Sequence, residues 1–178
     1  GAWVWTSAIV DAIRTVDPTR PVVSGMHSLT LSDKWTIFDQ GELTDVLTVH
    51  PYPSFTPHCD LDPPNTMRTL LHAAAEGRLY ADVGDKPCFV EEIGILGPML
   101  GGDATAADFL RTHLFSAWAH DLRGLLWWCA FDQAHLEQAP YDWNAVEREL
   151  GLLRVDGSPK PVAGELRAFA DWQRGLPF

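Results

Sequence analysis

Residues 86–94 read KPCFVEEIG, and this stretch decides how the rest of the chain is interpreted. A short apolar run follows a proline and ends in two glutamates and an Ile-Gly pair. Runs of this kind, rich in β-branched and aromatic residues and bounded by Pro and Gly, are typical of buried strands. The stretch therefore predicts a strand whose carboxyl end carries two acidic side chains, Glu91 and Glu92.

Segments of the same type are spaced along the chain and alternate with helical patterns. The predicted strands are 21–27, 45–52, 87–94 and 125–131. Apolar residues recur at helical spacing over 3–16, 67–75, 105–118 and 162–172. Thr105 and Asp108 form a capping-box pattern that predicts the start of the third helix. Strands alternating with helices indicate an α/β class with a parallel sheet, and a small doubly wound sheet and part of a barrel both fit.

Each predicted strand ends in side chains able to contact a ligand. They are His27, then His50 and Tyr52, then Glu91 and Glu92, then Trp128 and Asp132. In (β/α)8 barrels the functional residues come from the carboxyl ends of several strands, so we expect these side chains to share one rim. Because consecutive strand residues point in opposite directions, we expect only one of Glu91 and Glu92 to face that rim, with the other against a loop or an Arg.

These residues resemble the glycoside hydrolases of clan A, in particular family 5 with its cellulases and mannanases. Segment 86–94 looks like the seventh-strand signature of that family, in which the Glu before an aromatic or aliphatic residue and Gly is the nucleophile. That Glu is Glu92 here. His50-Pro-Tyr52 is similar to the sixth-strand His-x-Tyr of the family, and Trp128 to its eighth-strand Trp. The resemblance covers nearly the whole chain.

The resemblance implies the fold of a TIM barrel, represented over residues 1–178 by its C-terminal half with strands 5 to 8 and their helices. It implies a retaining hydrolase of β-glycosidic bonds in a polysaccharide or oligosaccharide, with Glu92 as the nucleophile. The candidate residues for binding this carbohydrate substrate are His27, His50, Tyr52, Trp128 and Asp132. Trp128, rather than Trp127, is expected to stack on a sugar ring, while Asp132 binds a hydroxyl or caps a loop.

One part of the family pattern is absent from the sequence. The family places its acid/base Glu in an Asn-Glu-Pro motif at the end of the fourth strand, and no Asn-Glu dipeptide occurs in the 178 residues. Glycoside cleavage needs a proton donor as well as a group that stabilises or traps the oxocarbenium-like carbon. We therefore expect the first half of the barrel upstream of Gly1, and we expect the present chain to be inactive by itself.

Two further interpretations stay open at this point. The main one is a non-catalytic carbohydrate-binding or assembly half-barrel that lacks the acid/base, and the more distant one is a flavodoxin-like module of unrelated function. In either barrel interpretation, open strand edges and an apolar inner face favour association with a complementary half-barrel chain or a second copy. An Asn-Glu-Pro motif in an upstream strand would favour the enzyme.

The amino-acid composition excludes several classes of binding partner. The 13 basic and 24 acidic residues give a net charge of −11, which provides no basic surface for nucleic acid or an anionic membrane. No apolar run approaches the roughly 18 residues of a membrane-spanning helix. The group His50, His58, Cys59 and Asp60 lacks the compact spacing of a structural zinc site, so no metal and no cofactor are expected.

Overall fold

The structure is a computed structural model. It describes residues 1–25, 35–59, 61–95, 101–134, 136–139, 142 and 148–177. The elements, in chain order, are α1 (Ala2–Val16), α2 (Ile37–Leu43), β1 (Leu47–Val49), α3 (Met67–Gly84), β2 (Cys88–Ile93), α4 (Asp103–Ala119), β3 (Leu125–Trp127) and α5 (Pro161–Arg174). A single 3-10 turn, Pro53–Phe55, follows β1. This alternation confirms the α/β class predicted from the sequence.

The three strands form one parallel sheet in the order β1-β2-β3. Leu47 is paired with Cys88 on the first ladder, and Val90 with Leu125 on the second. Helix α3 connects β1 to β2 and α4 connects β2 to β3, and apolar side chains of both helices share one buried cluster with the strands. Among the described strands the order is sequential, as in a barrel, and lacks the reversal that marks a doubly wound sheet.

The prediction of a first strand is wrong over its described part. Residues 21–25 form no strand, and His27 lies outside the described residues. The carbonyl of Ser24 accepts hydrogen bonds from the side chains of Gln40 and Thr48, at 2.7 Å each. The segment therefore lies beside β1, joined there by side-chain hydrogen bonds and by a backbone hydrogen bond from the Asp45 N–H to the Val22 carbonyl at 2.9 Å, without a strand ladder.

Helix α4 begins two residues before the predicted capping box. Its first residue is Asp103, after Gly102, and no side chain caps it. An acidic residue in the first turn is favoured by the helix dipole, and the Asp103 carboxylate also lies 2.6 Å from the Arg154 guanidinium. These two interactions stabilise a first helical turn that begins before the predicted start at Thr105. The capping box in the described structure opens α2 instead, where Thr36 and Asp39 bond each other's backbone N–H.

The apolar face predicted for α1 is exposed. Four of its apolar side chains are 42–87% exposed, namely Val4, Ile9, Ile13 and Val16. The buried residues of the helix are Thr6 and Val10. Contiguous exposed apolar surface of this kind commonly marks an interaction site. Helix α1 therefore presents apolar surface outward from the described part of the chain.

A buried acid, Glu76, lies on α3. Glu76 Oε2 is 3.3 Å from His72 Nε2, one helical turn earlier, and both side chains are about 15% exposed. Burial raises the pKa of Glu76 from 4.5 to about 7. Burial also lowers the pKa of His72, so that imidazole is largely neutral at pH 7 and offsets little of the charge on Glu76.

The raised pKa of Glu76 predicts that stability falls as the pH rises. A carboxyl group whose pKa is higher in the folded state binds its proton more tightly there, so its contribution is most favourable below pH 4.5 and is lost as the pH rises through 7. This group alone is expected to lower the free energy of unfolding by about 3 kcal/mol between pH 4 and pH 8. Urea titrations of Glu76→Gln should show a correspondingly smaller fall, whereas the exposed-site variant Glu149→Gln should behave as wild type. An unchanged fall in Glu76→Gln would contradict the assignment.

Candidate active site

The two glutamates of β2 lie where its pairing with β3 becomes irregular. Val90 pairs with Leu125 and Ile93 pairs with Trp127, so β2 advances three residues while β3 advances two. An extra residue on one strand is a β-bulge, which bends the strand and changes the direction of nearby side chains. The strict alternation expected for consecutive strand residues is therefore interrupted at this site.

Both carboxylates contact the same imidazole. Glu91 Oε2 is 3.1 Å from His50 Nε2, and Glu92 Oε2 is 3.5 Å from His50 Nδ1. The three side chains are only 14–28% exposed. Alternation predicts that one of the two glutamates lies against a loop or an Arg, and Glu91 does lie beside the non-strand segment at Gly25. Alternation does not predict that Glu91 also contacts His50, and this contact occurs where the register of β2 and β3 changes.

Tyr52 holds the other oxygen of Glu92. Its hydroxyl donates a hydrogen bond to Glu92 Oε1 at 2.8 Å, and the residue is 4% exposed. The Tyr52 ring also contacts Phe55 in the following turn, with 5.7 Å between the ring centroids. Glu92 is thus contacted at Oε1 by a buried hydroxyl and at Oε2 by an imidazole. This pair of contacts fixes the orientation of the carboxylate.

The two consecutive tryptophans at the end of β3 have different environments. The Trp127 ring packs edge-on against Phe109 of α4, with 6.2 Å between centroids, and its Nε1 donates to the carbonyl of Leu150 at 2.8 Å. Trp128 is 39% exposed. Its backbone N–H donates to the carbonyl of Ile93 at 2.8 Å, so it lies beside the end of β2. Stacking of Trp128 on a sugar stays a prediction.

Two glycines allow these strand ends to approach one another. A Cβ at Gly25 would lie 3.1 Å from Glu91 Oε2, and a Cβ at Gly94 would lie 2.7 Å from the carbonyl oxygen of Trp128. The sequence pattern gives no role to Gly25, although a glycine near the end of a strand-like segment often marks a close backbone approach. It gives Glu91 a place at a strand end but no separate role.

Asp132 is held by other partners. Its Oδ1 accepts hydrogen bonds from Lys160 Nζ at 2.6 Å and from the Gly151 N–H at 2.9 Å. The Asp132 and Lys160 side chains are 10% and 6% exposed. These are the contacts of a residue that fixes a loop. Binding of a sugar hydroxyl by Asp132 stays a prediction, and so does any role of His27, which the structure does not describe.

Solved structures share this arrangement of elements. A GH5_18 variant from Streptomyces cattleya, in complex with Manβ1-4GlcNAc, matches with a TM-score of 0.85 at 23% identity, over 99% of this chain and 43% of its own. A GH5_18 variant from Bifidobacterium longum, in complex with the same disaccharide, matches with a TM-score of 0.76 at 19% identity, over 96% and 41%. The exo-β-1,4-mannosidase Op5Man5 from Opitutaceae bacterium strain TAV5 matches with a TM-score of 0.72 at 24% identity, over 95% of this chain and 31% of its own.

The chain has the fold of these glycoside hydrolases. It spans less than half the length of each of the three proteins, so the likeness concerns one part of their structures. No protein-family model matches the sequence, and no curated protein matches it significantly.

Within the described ranges, no three His, Cys, Asp or Glu side chains are placed to hold a metal ion together. The thiol of Cys88 is buried and free. None of the described helices has the length and apolar character needed to cross a membrane.

Proposed function

We propose that this chain carries the nucleophile of a retaining glycoside hydrolase that cleaves β-glycosidic bonds in oligosaccharides or polysaccharides. The observation that carries the proposal is the position of Glu92 at a strand end, with Tyr52 on Oε1 and His50 on Oε2. A retaining glycosidase needs a fixed carboxylate that attacks the anomeric carbon. The shared fold of solved glycoside hydrolases supports the same assignment.

The reaction proceeds in two displacements. A Glu92 oxygen attacks the anomeric carbon and forms a covalent glycosyl ester, while the bond to the leaving oxygen breaks and an acid/base group protonates that oxygen. The same group then removes a proton from water, which attacks the anomeric carbon and releases Glu92. Through both steps, Tyr52 and His50 hold the carboxylate in place.

The acid/base is proposed to lie outside these 178 residues, in a first half of the barrel. The chain matches about two fifths of the GH5_18 structures and contains no Asn-Glu dipeptide. The exposed apolar face of α1 offers a surface that the first half, a complementary chain or a second copy would cover. By itself, this chain is expected to leave natural glycosides uncleaved.

β-Mannosides are the first substrates to test. Two of the matching structures hold Manβ1-4GlcNAc and a third belongs to an exo-β-1,4-mannosidase. The exposed ring of Trp128 offers an apolar face on which the C–H face of a hexose can stack. We therefore propose a β-mannosidic bond as the substrate class.

The stereochemistry of hydrolysis tests this proposal. The experiment uses the intact protein, meaning this chain together with the proposed first half of the barrel. Incubated with p-nitrophenyl β-mannoside and followed by ¹H NMR, it should release β-mannose first, and the α anomer should appear later by mutarotation. First-formed α-mannose would contradict a retaining mechanism. Binding of Manβ1-4GlcNAc in calorimetry, without hydrolysis of any β-glycoside, would favour the non-catalytic alternative, which the missing Asn-Glu dipeptide supports.

A further inference from the structure

We propose that Glu91 is a positioning residue for this reaction, because its carboxylate holds the His50 imidazole in the orientation that fixes Glu92. The inference rests on the proposed function and adds to it. The family resemblance assigns Glu92, His50 and Tyr52, and leaves Glu91 without a role.

The contact between Glu91 and His50 sets the orientation of the ring. Glu91 Oε2 lies 3.1 Å from His50 Nε2, and because a carboxylate accepts hydrogen bonds, the two are hydrogen-bonded when Nε2 carries a proton. The opposite nitrogen, Nδ1, then faces Glu92 Oε2 at 3.5 Å. Without Glu91, rotation of the ring would no longer be opposed by this bond.

The charges around the ring support this role. Within the described residues, no Lys or Arg forms a salt bridge with Glu91 or Glu92, and His50 is the basic group that both acids contact. The imidazole therefore lies between two carboxylates and, when it carries both protons, can donate to each. Displacement of the ring would remove the contact to Oε2 of Glu92 and leave its Tyr52 contact at Oε1.

The backbone at Gly25 fits closely around Glu91. A Cβ at position 25 would lie 3.1 Å from Glu91 Oε2, the oxygen that accepts the bond from His50. A methyl group there would push this oxygen while leaving the chemistry of Glu91 unchanged. Gly25→Ala is therefore a second way to disturb the same contact. Gly164→Ala is its matched control, because a Cβ at that exposed helix position meets no atom within 4 Å.

Kinetics of the intact protein test the role of Glu91. Glu91→Gln should lower kcat for p-nitrophenyl β-mannoside by about 10- to 100-fold with KM nearly unchanged, as when a carboxylate that orients a metal-bound histidine is removed. Gly25→Ala should lower kcat in the same direction by a smaller factor. Glu149→Gln and Gly164→Ala should match wild type.

NMR spectroscopy measures the contact between His50 and Glu91 directly. In ¹⁵N-histidine-labelled protein, wild type should show a slowly exchanging Nε2–H of His50, assigned by its loss in His50→Gln. This proton should exchange faster in Glu91→Gln and in Gly25→Ala. Since a merely structural effect would lower folded content rather than change this proton, circular dichroism is recorded on each variant.

The outcomes separate the inference from the proposed function. Loss of activity in Glu92→Gln together with wild-type kcat and an unchanged Nε2–H in Glu91→Gln would overturn the inference alone. Full activity in Glu92→Gln would overturn the proposed function. If Glu91→Gln fails to fold, Gly25→Ala decides: wild-type kcat and His50 exchange in a folded variant would overturn the role of Glu91.

Discussion

Replacing Glu92 by Gln in the intact protein is expected to lower turnover of β-glycosides by about 10⁴-fold or more, the size of effect seen when a catalytic nucleophile or its partner is removed. Gln has nearly the same shape as Glu and can still accept the hydrogen bond from Tyr52 at 2.8 Å. It lacks the negative charge that attacks the anomeric carbon. Folding and sugar affinity should therefore stay close to wild type while kcat collapses.

A matched rescue experiment separates a lost nucleophile from a damaged site. In Glu92→Ala, the removed carboxylate leaves room for azide, which should attack the anomeric carbon of an activated aryl β-mannoside and give the α-mannosyl azide. Glu149→Gln, on an exposed residue, serves as the control for substitution of a glutamate. Residual turnover of more than about one tenth in Glu92→Gln would contradict the assignment.

Replacing Lys160 by Ala is expected to destabilise the fold by about 3–5 kcal/mol, because it leaves the Asp132 carboxylate buried without its cation. Lys160 Nζ lies 2.6 Å from Asp132 Oδ1 and 2.8 Å from the carbonyl oxygen of Glu149. Both charged side chains are at most 10% exposed. Urea unfolding of the intact protein, followed by tryptophan fluorescence, measures the loss.

Two comparisons show whether the buried pair causes the loss. The double variant Lys160→Met with Asp132→Leu removes both charges and should recover most of the stability lost in Lys160→Ala. Arg174→Ala breaks an exposed pair with Asp171, whose side chains are 74% and 60% exposed, and should cost less than about 1 kcal/mol. A Lys160→Ala variant as stable as Arg174→Ala would show that Asp132 does not depend on this partner.

The strand-end residues of the site could be predicted because they follow apolar runs that the sequence makes obvious. The run before Glu92 and the run before His50 and Tyr52 became neighbouring parallel strands, and parallel neighbours place their carboxyl ends at one edge. The contact of Tyr52 with Glu92 follows from that register. Trp127 likewise packs under a helix, as one member of a Trp-Trp pair at a strand end must.

The position of Glu91 could not be predicted from alternation, because it depends on where β2 and β3 lose their register. A bulge between Val90 and Ile93 is set by the pairing of two distant segments, and a single strand sequence does not contain it. The same holds for residues 21–25, whose carbonyl at Ser24 is bonded by side chains of α2 and β1.

The exposed face of α1 shows a further limit of periodicity. The pattern correctly predicts a helix over Ala2–Val16, but it does not tell which neighbour covers the apolar face. In the described structure the helix buries Thr6 and Val10 instead. The spacing of apolar residues therefore predicts the helix, but it does not predict which of its side chains are buried.

Covalent trapping tests the central claim most directly. The intact protein is incubated with a 2-deoxy-2-fluoro-β-mannoside that carries an activated leaving group, digested, and examined by mass spectrometry. The fluorine slows hydrolysis of the intermediate, so a retaining enzyme accumulates the glycosyl ester on its nucleophile. We expect the fluoromannosyl mass on the peptide that contains Glu92, with fragment ions that assign it to Glu92 and not Glu91. A label on another residue, or hydrolysis of β-mannosides with no covalent adduct, would contradict the role of Glu92.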